Sequence, residues 1–164
     1  MNASLAIIAF VAVQRFAELL HAARNTRHLL AKGGIESGAT HYPLFIALHA
    51  GWLIALVIFL PRNSPPVWWL VAVFFILQGV RVWAMASLGS RWTTRIITLP
   101  DAPRVRRGPY RFIAHPNYVV VVGEIAILPL ALGEPWVALV FSLLNAALLS
   151  VRIRAEEAAL AKQR

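Results

Sequence analysis

The feature that most constrains the fold is a succession of five apolar runs separated by short polar segments. A helix rises about 1.5 Å per residue, and the hydrocarbon core of a bilayer is about 30 Å thick, so a span needs about 20 residues. The first three runs reach that length with their flanking residues, whereas the last two hold only about 15 residues each. The runs are Leu5–Leu20, Tyr42–Leu60, Val67–Met85, Tyr118–Leu132 and Trp136–Val151. We therefore predict an all-α polytopic membrane protein with about five transmembrane helices.

Glycine and proline mark the ends of these helices. Lys32-Gly33-Gly34 is expected to end the first helix, because glycine favours turns and helix ends. Only Gly133-Glu134-Pro135 separates the last two runs, which predicts a short C-terminal helical hairpin. We expect a single domain over residues 1–164. Residues 1–90 would hold three helices, and residues 91–164 a polar loop, the hairpin and a C-terminal helix.

Composition supports a membrane protein and excludes several site chemistries. Of the 164 residues, 59% are hydrophobic and only 14% are charged, against about 25% charged in soluble domains. The net charge is +9. The basic residues of the chain lie between apolar runs, and this placement favours contact with membrane lipids over binding of nucleic acid. The chain has no cysteine, so disulfides, zinc–thiolate sites and thiol nucleophiles are excluded. The histidine spacings predict no metal site.

The basic residues also predict an orientation. Of the 16 lysines and arginines, 13 lie after the first run, after the third run or in the C-terminal tail. Loops rich in lysine and arginine stay in the cytoplasm. With five spans, the N-terminus is then outside and the C-terminus cytoplasmic.

Ionisable and amide side chains interrupt the apolar runs, where they are costly and often functional. Arg15 and Glu18 are three residues apart on one helix, so they share a face and can form an ion pair. Glu124 is either a buried partner of an arginine or a ligand-binding group. Gln78 and Asn145 are expected to form hydrogen bonds between helices.

Other residues within the spans have structural interpretations. His49 lies mid-run and is interpreted as a hydrogen-bonded packing residue. Arg81 lies near a cytoplasmic end, from which it is expected to reach the membrane surface. Tryptophan is enriched at membrane interfaces, so three tryptophans near run ends are expected to anchor the protein there. They are Trp68, Trp69 and Trp136.

Two polar motifs flank the predicted hairpin at the same membrane boundary. The first is the aromatic and basic stretch Gly108-Pro109-Tyr110-Arg111-Phe112-Ile113-Ala114-His115-Pro116-Asn117-Tyr118. The second begins at Arg152 and includes Glu156, four residues later and thus on the same helix face. Folding of the hairpin is expected to bring the two motifs together.

The order and spacing of these motifs resemble the isoprenylcysteine carboxyl methyltransferase family, in particular its small bacterial branch. The resemblance covers roughly residues 91–160. One departure is Ala114, where the family usually has arginine before the His-Pro pair. Arg107 and Arg111 are the nearby residues expected to replace that basic contact.

The resemblance implies a membrane-embedded O-methyltransferase of the bacterial inner membrane that uses S-adenosylmethionine. By position, Arg152 would face the methyl acceptor as the catalytic residue. The acceptor would be lipophilic and would enter from the bilayer, as an alkylpyrone-like phenol or enol or an isoprenylcysteine-type carboxylate. The implied cofactor-binding residues are Arg95, Ala102, Pro103, Arg104, Val105, Tyr110, His115, Pro116, Asn117, Tyr118 and Glu156.

Two other classes of protein remain open from the sequence. Membrane reductases of the sterol-reductase type also carry a His-Pro-Asn-Tyr-like segment and bind NADPH. They have an acidic residue three positions after the tyrosine, where this chain has Val121. A non-enzymatic scaffold or small transporter explains the spans but not the polar residues gathered at one boundary.

Overall fold

The protein is a helical bundle with a small sheet at one end. The computed structural model describes residues 3–61, 64–100, 102–103 and 105–161, without the side chain of Leu160. The five long helices are α1 Ala3–Ala31, α2 Tyr42–Ile58, α3 Trp68–Leu88, α4 Pro116–Ala131 and α5 Pro135–Ala161.

Short elements connect the helices at the end that carries the polar motifs. Strands β1 Ile35–Ser37 and β2 Ile96–Thr98 pair antiparallel, with Glu36 opposite Ile97. Three turns of 3₁₀ helix lie at Ala39–His41, Gly89–Arg91 and Gly108–Arg111. The all-α prediction therefore describes the bulk of the chain but omitted this two-stranded sheet.

The predicted helices are found, with one correction. Helix α1 ends at Ala31, immediately before the predicted glycine break, and α4 and α5 pack as a hairpin. The predicted short fifth helix is wrong, because α5 extends for 27 residues to Ala161. Its last part is polar but rich in alanine, arginine and glutamate, which favour helix, so the helix outlasts its apolar run.

The bundle is built to cross a membrane. In the described part of the chain, four helices are long and apolar enough to span, namely α1, α2 with its preceding turn, α3 and α5, and α4 is a shorter apolar helix. The interior is tightly filled, with Trp52, Leu56, Phe74 and Leu128 almost fully buried. Many large apolar side chains remain exposed on the outside of the bundle, as lipid contact requires. The chain is an integral membrane protein.

Four charged residues form a neutral ion cluster inside the bundle. Arg15 contacts both Glu18 and Glu124, with both N–O distances 2.6 Å. Arg81 contacts the same two carboxylates at 2.9 and 2.7 Å. Because each arginine reaches both glutamates, three of the four ion pairs join different helices and hold α1, α3 and α4 together. The predicted Arg15–Glu18 pair is confirmed, and Glu124 is the buried partner of an arginine.

Of the two amide residues expected to form hydrogen bonds between helices, only Gln78 does so in the described structure. The prediction for Arg81 is wrong. Gln78 Nε2 donates to Glu124 Oε1 at 2.6 Å, so its predicted role between helices is confirmed. Arg81 is only 4% exposed and does not reach the membrane surface, because the two buried carboxylates hold it. Asn145 is buried, but its Oδ1 has no hydrogen-bond partner among the described residues.

Of the other side chains expected to have structural roles, His49 behaves as predicted, and the interface role of three tryptophans stays a prediction. His49 Nδ1 lies 2.8 Å from the carbonyl oxygen of Phe45, consistent with a hydrogen-bonded packing residue. The three tryptophans expected at a membrane interface are exposed by 61 to 75% at the starts of α3 and α5. They are Trp68, Trp69 and Trp136.

Glu134, in the turn between α4 and α5, gives the protein a pH-dependent stability. Its side chain is buried, neither carboxylate oxygen has a partner in the described structure, and burial raises its pKa from 4.5 to about 7. The folded protein then binds the proton more tightly than the unfolded chain does, so stability falls as pH rises from 4.5 to 7.

We expect Glu134→Gln to be more stable than wild type by about 1–3 kcal/mol at pH 8. Thermal unfolding followed by tryptophan fluorescence measures this, and pH 4.5, where the wild-type carboxyl is mostly neutral, is the internal control. An equal difference at both pH values would contradict the assignment.

Candidate functional site

A cavity of about 900 Å³ opens where the polar motifs meet the bundle. Pockets for small molecules commonly measure about 300–1,000 Å³, so this one lies near the upper end of that range. Its walls come from α1, α2, α3, the segment that contains β2, the start of α4 and the end of α5. Both polar motifs contribute, as the hairpin prediction requires.

Tyr118 joins the two motifs by hydrogen bonds. Its hydroxyl donates to Glu156 Oε2 and accepts from Arg152 Nε, the latter at 2.9 Å. Arg152 and Glu156 lie one turn apart on α5, so both reach Tyr118 in the first turn of α4. The three side chains thus form a continuous chain along one wall of the cavity.

His115 completes this wall. Its ring stacks on that of Tyr118, with the centroids 5.1 Å apart and the planes inclined by 15°. Its Nδ1 lies 3.6 Å from Glu156 Oε2. Helix α4 begins directly after His115, at Pro116, which has no N–H to lose and suits the first helical position. The position of the ring is therefore set by the start of the helix and by Tyr118.

Arg152 is held by several groups at once. Its Nη2 donates to the carbonyl oxygen of Thr94 at 2.7 Å. Its guanidinium carbon lies 5.2 Å from the ring centroid of Phe45 and 5.7 Å from that of Tyr118. The side chain is 9% exposed. Its Nη1 has no hydrogen-bond partner among the described residues, which leaves two N–H groups free to bind a ligand.

Arg95 anchors the β2 segment over the cavity. Its Nη1 lies 2.8 Å from Glu36 Oε1, and its guanidinium carbon lies 4.5 Å from the ring centroid of Tyr42. The Tyr42 hydroxyl is 3.0 Å from Thr94 Oγ1. The Thr94 carbonyl oxygen also accepts from Arg152 of α5. The segment before β2 therefore connects β1, α2 and α5.

Most of the predicted cofactor-binding residues line the cavity. They are Arg95, Ala102, Pro103, Val105, Tyr110, His115, Asn117, Tyr118 and Glu156, and the predicted catalytic Arg152 lines it as well. Pro116 does not, because it is buried in the first turn of α4. Arg104 lies outside the described residues.

Two polar groups in the cavity wall fit a polar, cationic cofactor. Asn117 Oδ1 is buried without a hydrogen-bond partner in the described structure, and such an atom needs a donor. Burial and the charge of Glu156 raise the pKa of Tyr110 to about 12, so its hydroxyl remains protonated. Together with the Glu156 carboxylate, these atoms suit the amino, hydroxyl and sulfonium groups of S-adenosylmethionine.

The basic residues around Ala114 differ from the prediction. Ala114 lines the cavity, but Arg107 and Arg111, which were expected to compensate for it, do not. Arg107 Nε donates to the carbonyl oxygen of Ser87 at 2.7 Å, and Arg111 lies against the ring of Phe112. The cavity wall instead contains Arg91 and Arg106.

Sequence reasoning missed the contribution of α2. Tyr42, Phe45 and His49 all line the cavity, and Phe45 contacts Arg152 directly. Their spacing of three and four residues places them on one helix face. This stripe of aromatic and polar residues at the start of an apolar run could have indicated that α2 contributes to the site.

The fold and the site together define an integral membrane protein with a polar cavity at one end of its helical bundle. Comparison with known proteins identifies the class more closely. The isoprenylcysteine carboxyl methyltransferase family matches residues 70–162, more than half of the chain, and the protein belongs to that family. This membership indicates a membrane methyltransferase.

Two relatives match nearly the whole chain. An uncharacterized protein of Bacillus subtilis, YpbQ, is 42% identical over 158 residues, which cover 94% of each chain. An uncharacterized protein of Haemophilus influenzae is 28% identical over 152 residues, covering 89% of this chain and 88% of the relative. No solved structure matches the chain significantly.

Proposed function

We propose that the protein is an S-adenosylmethionine-dependent O-methyltransferase that acts on a lipophilic acceptor. The observation that carries the proposal is the hydrogen-bonded chain Arg152–Tyr118–Glu156 in the wall of a cavity between membrane helices. Members of this family generally use S-adenosylmethionine, and the Asn117 and Tyr110 side chains fit its polar groups. His115, Tyr118 and Glu156 would hold the cofactor beside Arg152.

The proposed chemistry needs no nucleophile from the protein. When bound, the cofactor supplies an electrophilic methyl group, and a carbon–oxygen bond to the acceptor forms as the carbon–sulfur bond breaks, leaving S-adenosylhomocysteine. Arg152 would bind the anionic acceptor oxygen through its free Nη1 group and favour its deprotonated form. The rings of Phe45 and Tyr118 keep the guanidinium in place before the acceptor arrives. Positioning and electrostatics then supply most of the catalysis.

The proposed acceptor is an alkylpyrone-like phenol or enol, or an isoprenylcysteine-type carboxylate. Each has an ionisable oxygen for Arg152 and an apolar part for the walls of the cavity. Apolar side chains of α1 and α2, including Ala12, Phe16 and Leu53, line the same cavity as Arg152. They support a lipophilic acceptor that enters from the membrane.

We further propose that the site faces the cytoplasm of a bacterial inner membrane, with the N-terminus outside. Basic residues cluster around the cavity end of the bundle, and loops rich in lysine and arginine remain cytoplasmic. A cytoplasmic opening would also give the charged cofactor direct access from water.

The test of the cofactor site is Glu156→Gln. The change removes the carboxylate that accepts from Tyr118 and lies near His115, so the affinity for S-adenosylhomocysteine should fall at least tenfold. Isothermal titration calorimetry on the purified protein measures this affinity. The control is Arg154→Gln, which removes a charge from an exposed position of the same helix outside the cavity and should change affinity by less than twofold.

Three outcomes would count against the proposed function. Unchanged affinity in Glu156→Gln would contradict the site assignment. Wild-type protein that binds neither S-adenosylmethionine nor S-adenosylhomocysteine would contradict the reaction class. Preferential binding of NADPH would favour the reductase instead, although Val121 and the ion-paired Glu124 leave this site without the acidic residue expected there.

A further inference from the structure

The cavity continues below Arg152 to a polar floor, which we define as Arg15, Glu18, His49 and Arg81. All four residues line the same cavity as Arg152, Tyr118 and Glu156. A site for a purely hydrocarbon tail would end on apolar side chains, since unpaired polar groups are costly next to hydrocarbon. This cavity instead is lined by two groups of polar residues, these four and the Arg152–Tyr118–Glu156 chain, together with apolar side chains of α1 and α2.

Helix geometry gives the separation between the two polar groups. On α4, Tyr118 precedes the floor's partner Glu124 by six residues, or about 9 Å of helix. On α2, Phe45 contacts Arg152, and His49 lies one turn further into the bundle, about 6 Å away. The floor thus lies about 6–9 Å from the group proposed to bind the reacting oxygen.

His49 offers the floor a hydrogen-bond acceptor. Its Nδ1 is 2.8 Å from the Phe45 carbonyl oxygen, and a carbonyl can only accept, so Nδ1 carries the hydrogen. In the neutral ring Nε2 is then an acceptor, and it has no hydrogen-bond partner among the described residues. The residue is half-buried and close enough to Arg15, Glu18 and Arg81 to interact with their charges.

Arg15 offers donors at the same floor. Its Nη1 and Nη2 each contact one carboxylate, and each nitrogen carries two hydrogens. Its side chain is 11% exposed and lines the cavity. The same cavity wall therefore offers an acceptor and a donor, the two partners that a hydroxyl group needs, because a hydroxyl both donates and accepts.

We propose that the polar floor binds a second oxygen function of the methyl acceptor, a hydroxyl group about 6–9 Å from the methylated oxygen. The hydroxyl donates to His49 Nε2 and accepts from the Arg15 guanidinium. The substrate class is therefore a lipophilic molecule with two oxygen functions, one methylated at Arg152 and one recognised at the floor. This inference rests on the proposed function, since it names the substrate of the same site.

The test compares two phenols that differ in one group. The first, 4-(3-hydroxypropyl)phenol, has a terminal hydroxyl that reaches the estimated distance when extended. The second, 4-butylphenol, has a methyl group in its place. The dissociation constants of both probes are measured by calorimetry on the full-length protein in detergent with S-adenosylhomocysteine bound. The comparison is made in wild type, in His49→Leu and in His28→Leu, a matched change at an exposed position outside the cavity.

We expect His49→Leu to weaken the hydroxylated probe relative to 4-butylphenol by about tenfold, because the hydroxyl loses its acceptor. His28→Leu should leave the ratio at its wild-type value. An unchanged ratio in His49→Leu, or failure of the wild type to bind the hydroxylated probe, overturns the inference. Failure of the wild type to bind S-adenosylhomocysteine overturns the proposed function instead, so the two failures are distinguishable.

Discussion

Arg152→Lys is expected to lower kcat/KM for methyl transfer by at least a hundredfold while leaving the affinity for S-adenosylhomocysteine within about threefold of wild type. Arginine binds Tyr118 through Nε and Thr94 through Nη2, and keeps Nη1 for the acceptor. Lysine has a single nitrogen and cannot keep both anchors and still present a fixed donor to the acceptor. The loss should therefore fall on the reaction rather than on cofactor binding.

A matched control separates this effect from a change in helix α5. Arg154→Lys makes the same substitution two residues along, at an exposed position outside the cavity, and should leave kcat/KM within twofold of wild type. Methyl transfer to 4-butylphenol or another lipophilic phenol, followed with labelled cofactor, provides the rate. Near-wild-type activity in Arg152→Lys would contradict the proposed role of the arginine.

Glu124→Gln is expected to destabilise the fold by about 3–5 kcal/mol, the usual consequence of breaking a buried ion pair. Glu124 is 2% exposed and pairs with both Arg15 and Arg81. Without its charge, Glu18 is left to balance two arginines inside the bundle. Thermal unfolding followed by tryptophan fluorescence measures the change.

A second substitution in the ion cluster should compensate for the charge lost in Glu124→Gln. Arg15→Gln combined with Glu124→Gln removes one charge of each sign, so we expect the double variant to be more stable than Glu124→Gln alone. Glu36→Gln serves as the control, because its ion pair with Arg95 is partly exposed and should be worth less than about 1 kcal/mol. Equal stability of Glu124→Gln and wild type would show that the cluster does not hold α1, α3 and α4 together.

Sequence patterns that involve neighbouring residues predicted most of the helical architecture. The apolar runs indicated the membrane helices because a span must satisfy its backbone internally and expose apolar side chains to lipid. The glycine and proline residues near Gly33 and Gly133 indicated the turns. The two polar motifs could be placed together because only a short hairpin separates them, and the structure brings Tyr118 into contact with Arg152 and Glu156.

Contacts between distant segments were harder to predict. Two three-residue strands form because Ile35–Ser37 and Ile96–Thr98 meet, and neither segment is long enough to be recognised alone. The sequence indicated that Arg15 had a partner nearby in Glu18, but not that Glu124, 109 residues away, shares it. Arg81 was misplaced for the same reason, since a position near a helix end says nothing about which carboxylates pack beside it.

The sequence by itself determined that the chain crosses a membrane, where its helices turn, and which motif in its second half carries the polar chemistry. These properties depend on the length of apolar runs, on turn residues and on spacing along a helix, all of which are local. Only the tertiary structure decided that Phe45 and Thr94 position Arg152, and that Arg15 and His49 form the floor of the same cavity. Those contacts depend on how whole helices pack against one another, and that packing is specified by many side chains together.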